Sequence, residues 1–414
     1  MPAPAALTWR QVRRPYFFAL FAVHSFFVAY SMSLVEVPRA LKGEPEWVVG
    51  FVVGVFGIAG MVTRPLTGVW VDRGGNRQRW VRAGAIGVAL SFVGYAFDFG
   101  PWVMVIFRCM QGVAMGVFTT AMLAIVGNLL PPERRGSGLG FYQAANAGAA
   151  LYGAALAIFI IDRFGFAAAF LVSGGTAVLA LILAAGTGDP AAPPVREAGS
   201  RPRGLRGLIS PTAMVPALVF ACVTTPWGTV TAFLPLFALE RDLGNGGLFY
   251  TAAGLAQLTA RVSAGWIGDR IGRDAVVIPA LAAAVISLLV LSQVESAWLL
   301  IVCALAFGFG LAATQTSIAV IVIDRTPPAM LGSGMATYTM AWDVGQVIGA
   351  ILLGLLVDAT SYGFVFALSA VFPVMGIVLF LTHVSERHVT EGRTLTPQTP
   401  SPHGGEGGSE TPIP

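Results

Sequence analysis

The chain has 414 residues, 56% of them hydrophobic and only 11% charged. A soluble globular domain carries about 25% charged residues, so the composition excludes a soluble enzyme, a disordered scaffold and a nucleic-acid binder. The formal net charge is +4, with Lys42 as the single lysine, and no basic patch calls for a nucleic-acid partner. Cys109, Cys222 and Cys303 all fall inside apolar runs, which leaves no disulfide framework, no metal cluster and no need for a cofactor.

A transmembrane helix needs about 20 apolar residues. Runs of that kind begin near Tyr16, Trp47, Arg82, Trp102, Gly136, Gly165, Thr212, Gly247, Ala275, Ala297, Leu331 and Tyr362. They predict twelve transmembrane helices in an all-α membrane protein, since lipid-facing backbone must satisfy its own hydrogen bonds and these runs are too long for barrel strands. The first is too long for the apolar region of a cleaved signal peptide. Gly, 50 of the 414 residues, suits close helix packing in lipid.

The basic residues set the expected orientation. With both termini cytoplasmic, 18 Arg lie inside, Arg39, Lys42, Arg163 and Arg241 lie outside, and Arg64, Arg108 and Arg261 stay within spans. The expected organisation is a cytoplasmic N-terminal tail over 1–15, a six-helix half over 16–185 and a Pro-, Gly- and Arg-rich cytoplasmic linker over 186–211. A second six-helix half follows over 212–382, then a disordered cytoplasmic tail over 383–414.

The halves are copies. A shift of 197 lays Pro38 on Pro235, Arg64 on Arg261, Gly68 on Gly265, Asp72 on Asp269, Arg73 on Arg270 and Gly75 on Gly272. Further along, a shift of 196 lays Gly136-Ser137-Gly138 on Gly332-Ser333-Gly334, Tyr142 on Tyr338, Gly153 on Gly349 and Asp162 on Asp358. Such a duplication fixes the architecture: two pseudo-symmetric six-helix halves, the plan of a secondary transporter.

Two loops follow the duplicated spans. Gly68-Val-Trp-Val-Asp72-Arg73-Gly-Gly75-Asn-Arg77 comes after span two, and Gly265-Trp-Ile-Gly-Asp269-Arg270-Ile-Gly272-Arg273 after span eight. Both resemble the cytoplasmic loop motif of the major facilitator superfamily. Arg108-Cys-Met-Gln111-Gly112 in span four resembles that superfamily's arginine motif, typical of proton-coupled members. The resemblance covers roughly residues 14–384. Glycine permits a tight turn, the loop Asp suits the positive end of a neighbouring helix, and the Arg residues suit acidic groups or lipid phosphates. The resemblance implies that Asp72 and Arg73, with the second loop as counterpart, latch the halves in an outward-open state. One departure stands out: the acid that superfamily members often carry at the cytoplasmic end of span four is Asn128 here, while its repeat partner is Asp324.

Arg64 and Arg261 each precede their loop Asp by eight residues. Their recurrence points to a paired role at the interface between halves, against simple snorkelling to the membrane surface. A charge at depth is a functional candidate. Asp343 in span eleven, whose repeat partner is Ala147, is the candidate proton carrier, with Arg108 biasing it and His24 and Glu36 in reserve. The resemblance implies that spans one, four, seven and ten line a central cavity. There Tyr30 and its repeat partner Trp227 form a candidate clamp, joined by Gln111, Met115, Thr224 and Gln315. Thr224-Thr225-Pro226-Trp227-Gly228 is expected to break span seven. Span five lacks the proline element that many antiporters of the superfamily carry, and no GxxxxGK[ST] occurs anywhere.

These features lead to a bacterial inner-membrane transporter, a monomer amid membrane lipids, that works by alternating access and couples protons to export of a small-molecule substrate. The alternatives are a proton symporter importing a small organic anion or nutrient, and a non-transporting receptor or scaffold on the same fold.

Overall fold

The computed structural model describes residues 9–72, 76–97, 100–130, 135–188, 210–244, 246–326 and 331–384. The expected linker and both expected tails therefore fall largely outside the described residues. The described chain is almost wholly helical: α1 (Trp9–Ala40), α2 (Glu46–Asp72), α3 (Arg77–Ala96), α4 (Pro101–Leu129), α5 (Arg135–Ala150), α6 (Gly153–Ala184), α7 (Pro211–Glu240), α8 (Gly247–Ile271), α9 (Asp274–Leu291) and α10 (Ala297–Arg325). Then come α11 (Leu331–Val347), continued by a π-helical turn at Ile348–Leu352, and α12 (Tyr362–Val384).

Among the described residues nine stretches are long and apolar enough to cross a membrane. One of them, Phe141–Thr187, has 47 residues. As a straight helix it would run about 70 Å, twice the hydrocarbon thickness, so it must fold back. It does so at Gly165, whose φ of 84° is open to glycine at no steric cost. With that stretch divided, and α3 and α8 added, the expected twelve spans are accounted for.

The bundle presents an apolar belt to lipid: Phe21, Ile106, Phe159, Leu255, Ile286 and Phe364 are all exposed. Tryptophans mark its edges. Trp102 and Trp298 open α4 and α10 at one end, while Trp70 and Trp266 sit at the other end of α2 and α8, and all four are exposed. Trp47 and Trp70 on α2 lie about 35 Å apart along the helix, which fits aromatic anchoring at the two membrane surfaces.

Helices α1–α6 pack chiefly on one another, and α7–α12 do the same. The groups meet where α2 lies on α11 and where α5 and α6 lie on α8. Small residues allow this approach. A Cβ on Gly50 would run into the carbonyl oxygen of Ala350, and one on Gly247 would stand 2.9 Å from the carbonyl oxygen of Ala154. A Cβ on Gly57 would stand 2.8 Å from the Val347 side chain, and one on Gly254 would stand 3.3 Å from Ala150 and 3.4 Å from Leu151 N. Each pair is the repeat image of the other, so the duplication in sequence becomes a pseudo-twofold pair of interfaces. The backbone also yields at matching places: α5 ends in a turn at Leu151–Tyr152, and α11 passes into its π-helical turn at Ile348.

The expected break in α7 is not there. The helix runs from Pro211 to Glu240 through Pro216, Pro226 and Pro235. Tertiary packing holds it: Thr224 and Thr225 hydroxyls donate to the Ala221 carbonyl, Thr224 also reaches Ala341, and Thr229 reaches Gly349. These bonds pin α7 against α11 on both sides of Pro226, and such support from neighbouring elements is how membrane helices tolerate proline. The irregular backbone lies instead on α5 and α11, where the sequence shows no proline.

A candidate coupling site between two helix bundles

The α2–α11 interface carries an ion pair. Arg64 Nε stands 2.8 Å from Asp343 Oδ2, and its Nη2 donates to Oδ1 at 3.4 Å. The Arg64 side chain is 22% exposed and that of Asp343 1%, so the acid is dry and the base reaches toward water. Arg64 Nη1 also donates to the Thr119 hydroxyl at 3.2 Å. Gly60 lies against the carboxylate, where a Cβ would make ordinary contact with Asp343 Oδ1 at 3.5 Å.

Arg108, expected to bias Asp343 directly or through the cavity, makes its contacts elsewhere. Arg108 is buried within the first group of helices. It donates to Gln111 Oε1 at 2.6 Å, its guanidinium covers the Phe56 ring at 4.7 Å, and Ser33 Oγ lies 3.5 Å away. The Tyr95 hydroxyl donates to the same Gln111 oxygen at 3.0 Å. The side chains of α2 decide the matter, since Arg64 crosses to α11 while Arg108 on α4 points into its own bundle.

The other candidates fall at separate places. Glu36 is fully buried, with Oε1 accepting from the Ser173 hydroxyl at 2.7 Å and Oε2 without a partner among the described residues. His24 has both ring nitrogens engaged, with the Ala145 carbonyl at 2.9 Å and the Tyr152 hydroxyl at 2.7 Å, and so ties α1 to the turn that ends α5. Arg261 stands on α8 facing α5 and α10, where its donors reach the Gln143 carbonyl at 3.2 Å and Gln315 Oε1 at 3.4 Å.

Of the expected cavity residues, Tyr30 and Gln315 are half-buried, while Gln111, Met115, Thr224 and Trp227 are buried. Tyr30 stacks on Phe56 and accepts from Gln346 Nε2 at 3.4 Å. Trp227 packs among Tyr250, Phe307 and Trp342. The two rings therefore stack on separate neighbours rather than closing on each other. Gln346, beside Asp343 on α11, is a contact the sequence reading missed; nothing but its span marks it.

Of the loop residues, Arg73 and Gly75 lie outside the described residues, as do the side chains of Asp72 and Asp269. Gly68 and Gly265 face open space, Gly272 takes a φ of 93°, and Arg270 lies over the Trp266 ring at 3.8 Å. Arg77 is buried at the start of α3, and Arg273 packs against Gly268. The opposite end is held shut. Asp358, which follows the short helix Gly354–Val357 beyond α11, accepts from the backbone N–H groups of Glu46 and Trp47 at 2.8 and 3.0 Å, and the Tyr362 hydroxyl bonds Glu46. A carboxylate from one bundle thus caps the first turn of α2 in the other, where the helix dipole favours negative charge. Close contact runs from that cap through Gly50, Gly54 and Gly57 to Asp343 and ceases by Gly68. This conformation is closed at the Glu46–Asp358 end. No group of His, Cys and acids that could hold a metal is found among the described residues.

The geometry has relatives. A family model described as Major Facilitator Superfamily matches residues 16–260 and again 216–404. The chain is similar to the multidrug resistance protein MdtG of Proteus mirabilis, at 26% identity over 331 residues covering 77% of this chain and 80% of that protein. It is also similar to the multi-drug resistance efflux pump PmrA of Streptococcus pneumoniae, at 23% identity over 321 residues, 72% of this chain and 77% of that one. Among solved structures, a POT family transporter in complex with 5-aminolevulinic acid matches with a TM-score of 0.73 at 14% identity, covering 95% of this chain and 99% of that one. The nucleoside transporter NupG matches with a TM-score of 0.68 at 14% identity, covering 89% of this chain and 98% of that one.

Proposed function

Because the chain belongs to the major facilitator superfamily, and is therefore a multi-pass membrane transporter rather than an enzyme, we propose that it couples the entry of protons to the export of small molecules from a bacterial cell. The observation that carries the coupling is the Arg64–Asp343 pair, which joins α2 of one bundle to α11 of the other. Alternating access requires the bundles to rock, and the pair lies on the surface across which they move. Pulling a buried ion pair apart leaves uncompensated charge, at a cost of roughly 3–5 kcal/mol. A proton on the Asp343 carboxylate removes the negative member and releases Arg64 to water and Thr119, so protonation unlocks the motion. Asp343 then carries the proton, and Arg64 is the positioning residue that returns it to the ionised form. Glu36 and Arg108, each held within one bundle, serve as structural polar groups in this scheme.

The direction is supported by the printed names of the relatives, which describe drug resistance and efflux. The placement of 18 Arg on one side of the predicted topology supports both termini lying in the cytoplasm of a bacterial inner membrane. The conformation closed at the Glu46–Asp358 end is then open inward, ready to load from the cytoplasm.

The test is flux in proteoliposomes with and without a pH gradient. Asp343→Asn is expected to abolish gradient-driven accumulation while keeping substrate counterflow, because exchange completes no proton cycle. Accumulation against a gradient with the wild-type pH dependence overturns Asp343 as the carrier. Comparison of inverted with right-side-out vesicles fixes the direction.

A further inference from the structure

The two interfaces between bundles are repeat images in all but one charge. At α2–α11, Arg64 is held by Thr119 of α4 and by Asp343 of α11. At α8–α5, its repeat partner Arg261 is held by Gln315 of α10, which is the repeat partner of Thr119. The place of Asp343 falls to Ala147 on α5, which is buried, and the Gln143 carbonyl, one turn back along α5, takes up the guanidinium instead. No carboxylate stands within ion-pair distance of Arg261 among the described residues. One guanidinium is thus neutralised by the protein itself, and its twin has only neutral acceptors, one of them long at 3.4 Å.

A guanidinium offers five donors in a rigid fork that fits a carboxylate bidentately. Withdrawn from water without an anion, it is poorly compensated. Arg261 is half-buried, and its bond to the Gln143 carbonyl lies in an exposed setting. Gln257, one turn earlier on α8, stands where α2 has Gly60, and is likewise half-buried. One turn later, Gly265 would meet nothing within 4 Å if it bore a Cβ, so that face of α8 is open toward the end where substrate loads.

We propose that Arg261, flanked by Gln257 and Gln315, is an anion subsite on the transport path, and that it takes the carboxylate of an organic monoanion. The substrate's charge then does at α8–α5 what Asp343 does at α2–α11. The anion enters between the bundles, pairs with the guanidinium fork, and draws α8 and α5 into a matched interface. This deepens the export reading above, on which it rests for the route by which the anion arrives.

The test is equilibrium binding of 1-naphthoate and of uncharged 1-naphthamide to the purified full-length protein, read by tryptophan fluorescence at low salt with no pH gradient. Charge-assisted bidentate pairing leads to naphthoate binding at least about tenfold tighter than naphthamide. Arg261→Gln is expected to bring the two within about twofold. Ala147→Asp is the sharper variant: it leaves Arg261 in place, supplies the missing internal acid, and is expected to erase the preference equally. Arg261→Lys keeps the charge without the fork and is expected to retain part of the preference. Equal binding of the two probes by the wild type overturns the proposal. So does a preference that survives in Ala147→Asp, the variant that decides if Arg261→Gln elutes as aggregate. The readout involves no proton cycle. Lost preference with gradient-driven flux intact rejects the subsite alone, whereas intact preference without gradient-driven flux rejects the coupling scheme alone.

Discussion

Adding one methyl group at either of two pseudo-equivalent glycines should force the closed end of the molecule apart. At Gly247, an alanine Cβ would lie 2.9 Å from Ala154 O and from Ala155 N and Cα, against the 3.4 Å at which ordinary contact begins, so α8 must draw back by about half an ångström. At Gly50 the overlap with Ala350 O is deeper, and the obstacle is again backbone, which cannot rotate aside. Overpacking of this kind costs roughly 1–3 kcal/mol. Since about 1.4 kcal/mol is a tenfold change, Gly247→Ala should reduce the closed population about fivefold and Gly50→Ala by up to about 150-fold. Spin labels at Phe97 and Leu355, both exposed, report the separation by pulsed electron resonance once the three native cysteines are replaced. Gly127→Ala is the control, because its Cβ would meet nothing within 4 Å. An unchanged distance distribution in Gly50→Ala, or an equal effect from Gly127→Ala, refutes the claim that these glycine contacts seal the closed end.

Asp358→Asn should weaken the cap on α2 by about 1 kcal/mol and make outer-end cysteines label about fivefold faster; equal labelling would show the cap is incidental. Trp227→Phe keeps the ring stack with Phe307 and Tyr250 while removing the indole N–H, and should raise the apparent KM several-fold at near-normal expression if that N–H meets substrate. An unchanged KM for every transported compound would remove Trp227 from the path. Asp72→Asn should impair flux more than Asp269→Asn at normal membrane insertion, and the reverse order would make the second loop the dominant latch.

The fold was legible because lipid leaves few options. Apolar runs of about 20 residues must be helices, and ten of the twelve start points read from the runs fall within five residues of a helix start, while Tyr16 lies inside α1 and Gly165 marks the fold-back within α6. The repeat was legible in Arg64 and Arg261 and in the loop residues that follow them, and the structure adds that Gly50 and Gly247, and Gly57 and Gly254, hold matching places at the two interfaces. The turn at Leu151–Tyr152 and the π-helical turn at Ile348–Leu352 left no such mark. They arise where one bundle's backbone must accommodate the other's, and no proline announces them. The expectation of a broken α7 failed for the converse reason. Proline and glycine are local signals, whereas α7 is pinned by its own Thr224 and Thr229 hydroxyls to the Ala341 and Gly349 carbonyls across the interface.

The charges were half legible. That Asp343 breaks the repeat, with Ala147 opposite, follows from alignment alone. Which base it meets does not, because depth in a span says nothing about direction around the helix axis. Arg108 and Arg64 are both intramembrane bases, but Arg108 is spent within its own bundle on Gln111 and the Phe56 ring, leaving Arg64 as the base that crosses. Once that crossing is known, the asymmetry acquires a physical meaning. A protein built from two copies of one frame would have two equal locks if both arginines had acids. On the coupling proposed above, one lock has its own acid and is opened by a proton, while the other has a base and, among the described residues, no acid. On the same proposal, a carrier that must not rock idly needs a lock that only cargo completes, and Ala147 in the place of Asp343 leaves that lock to the cargo.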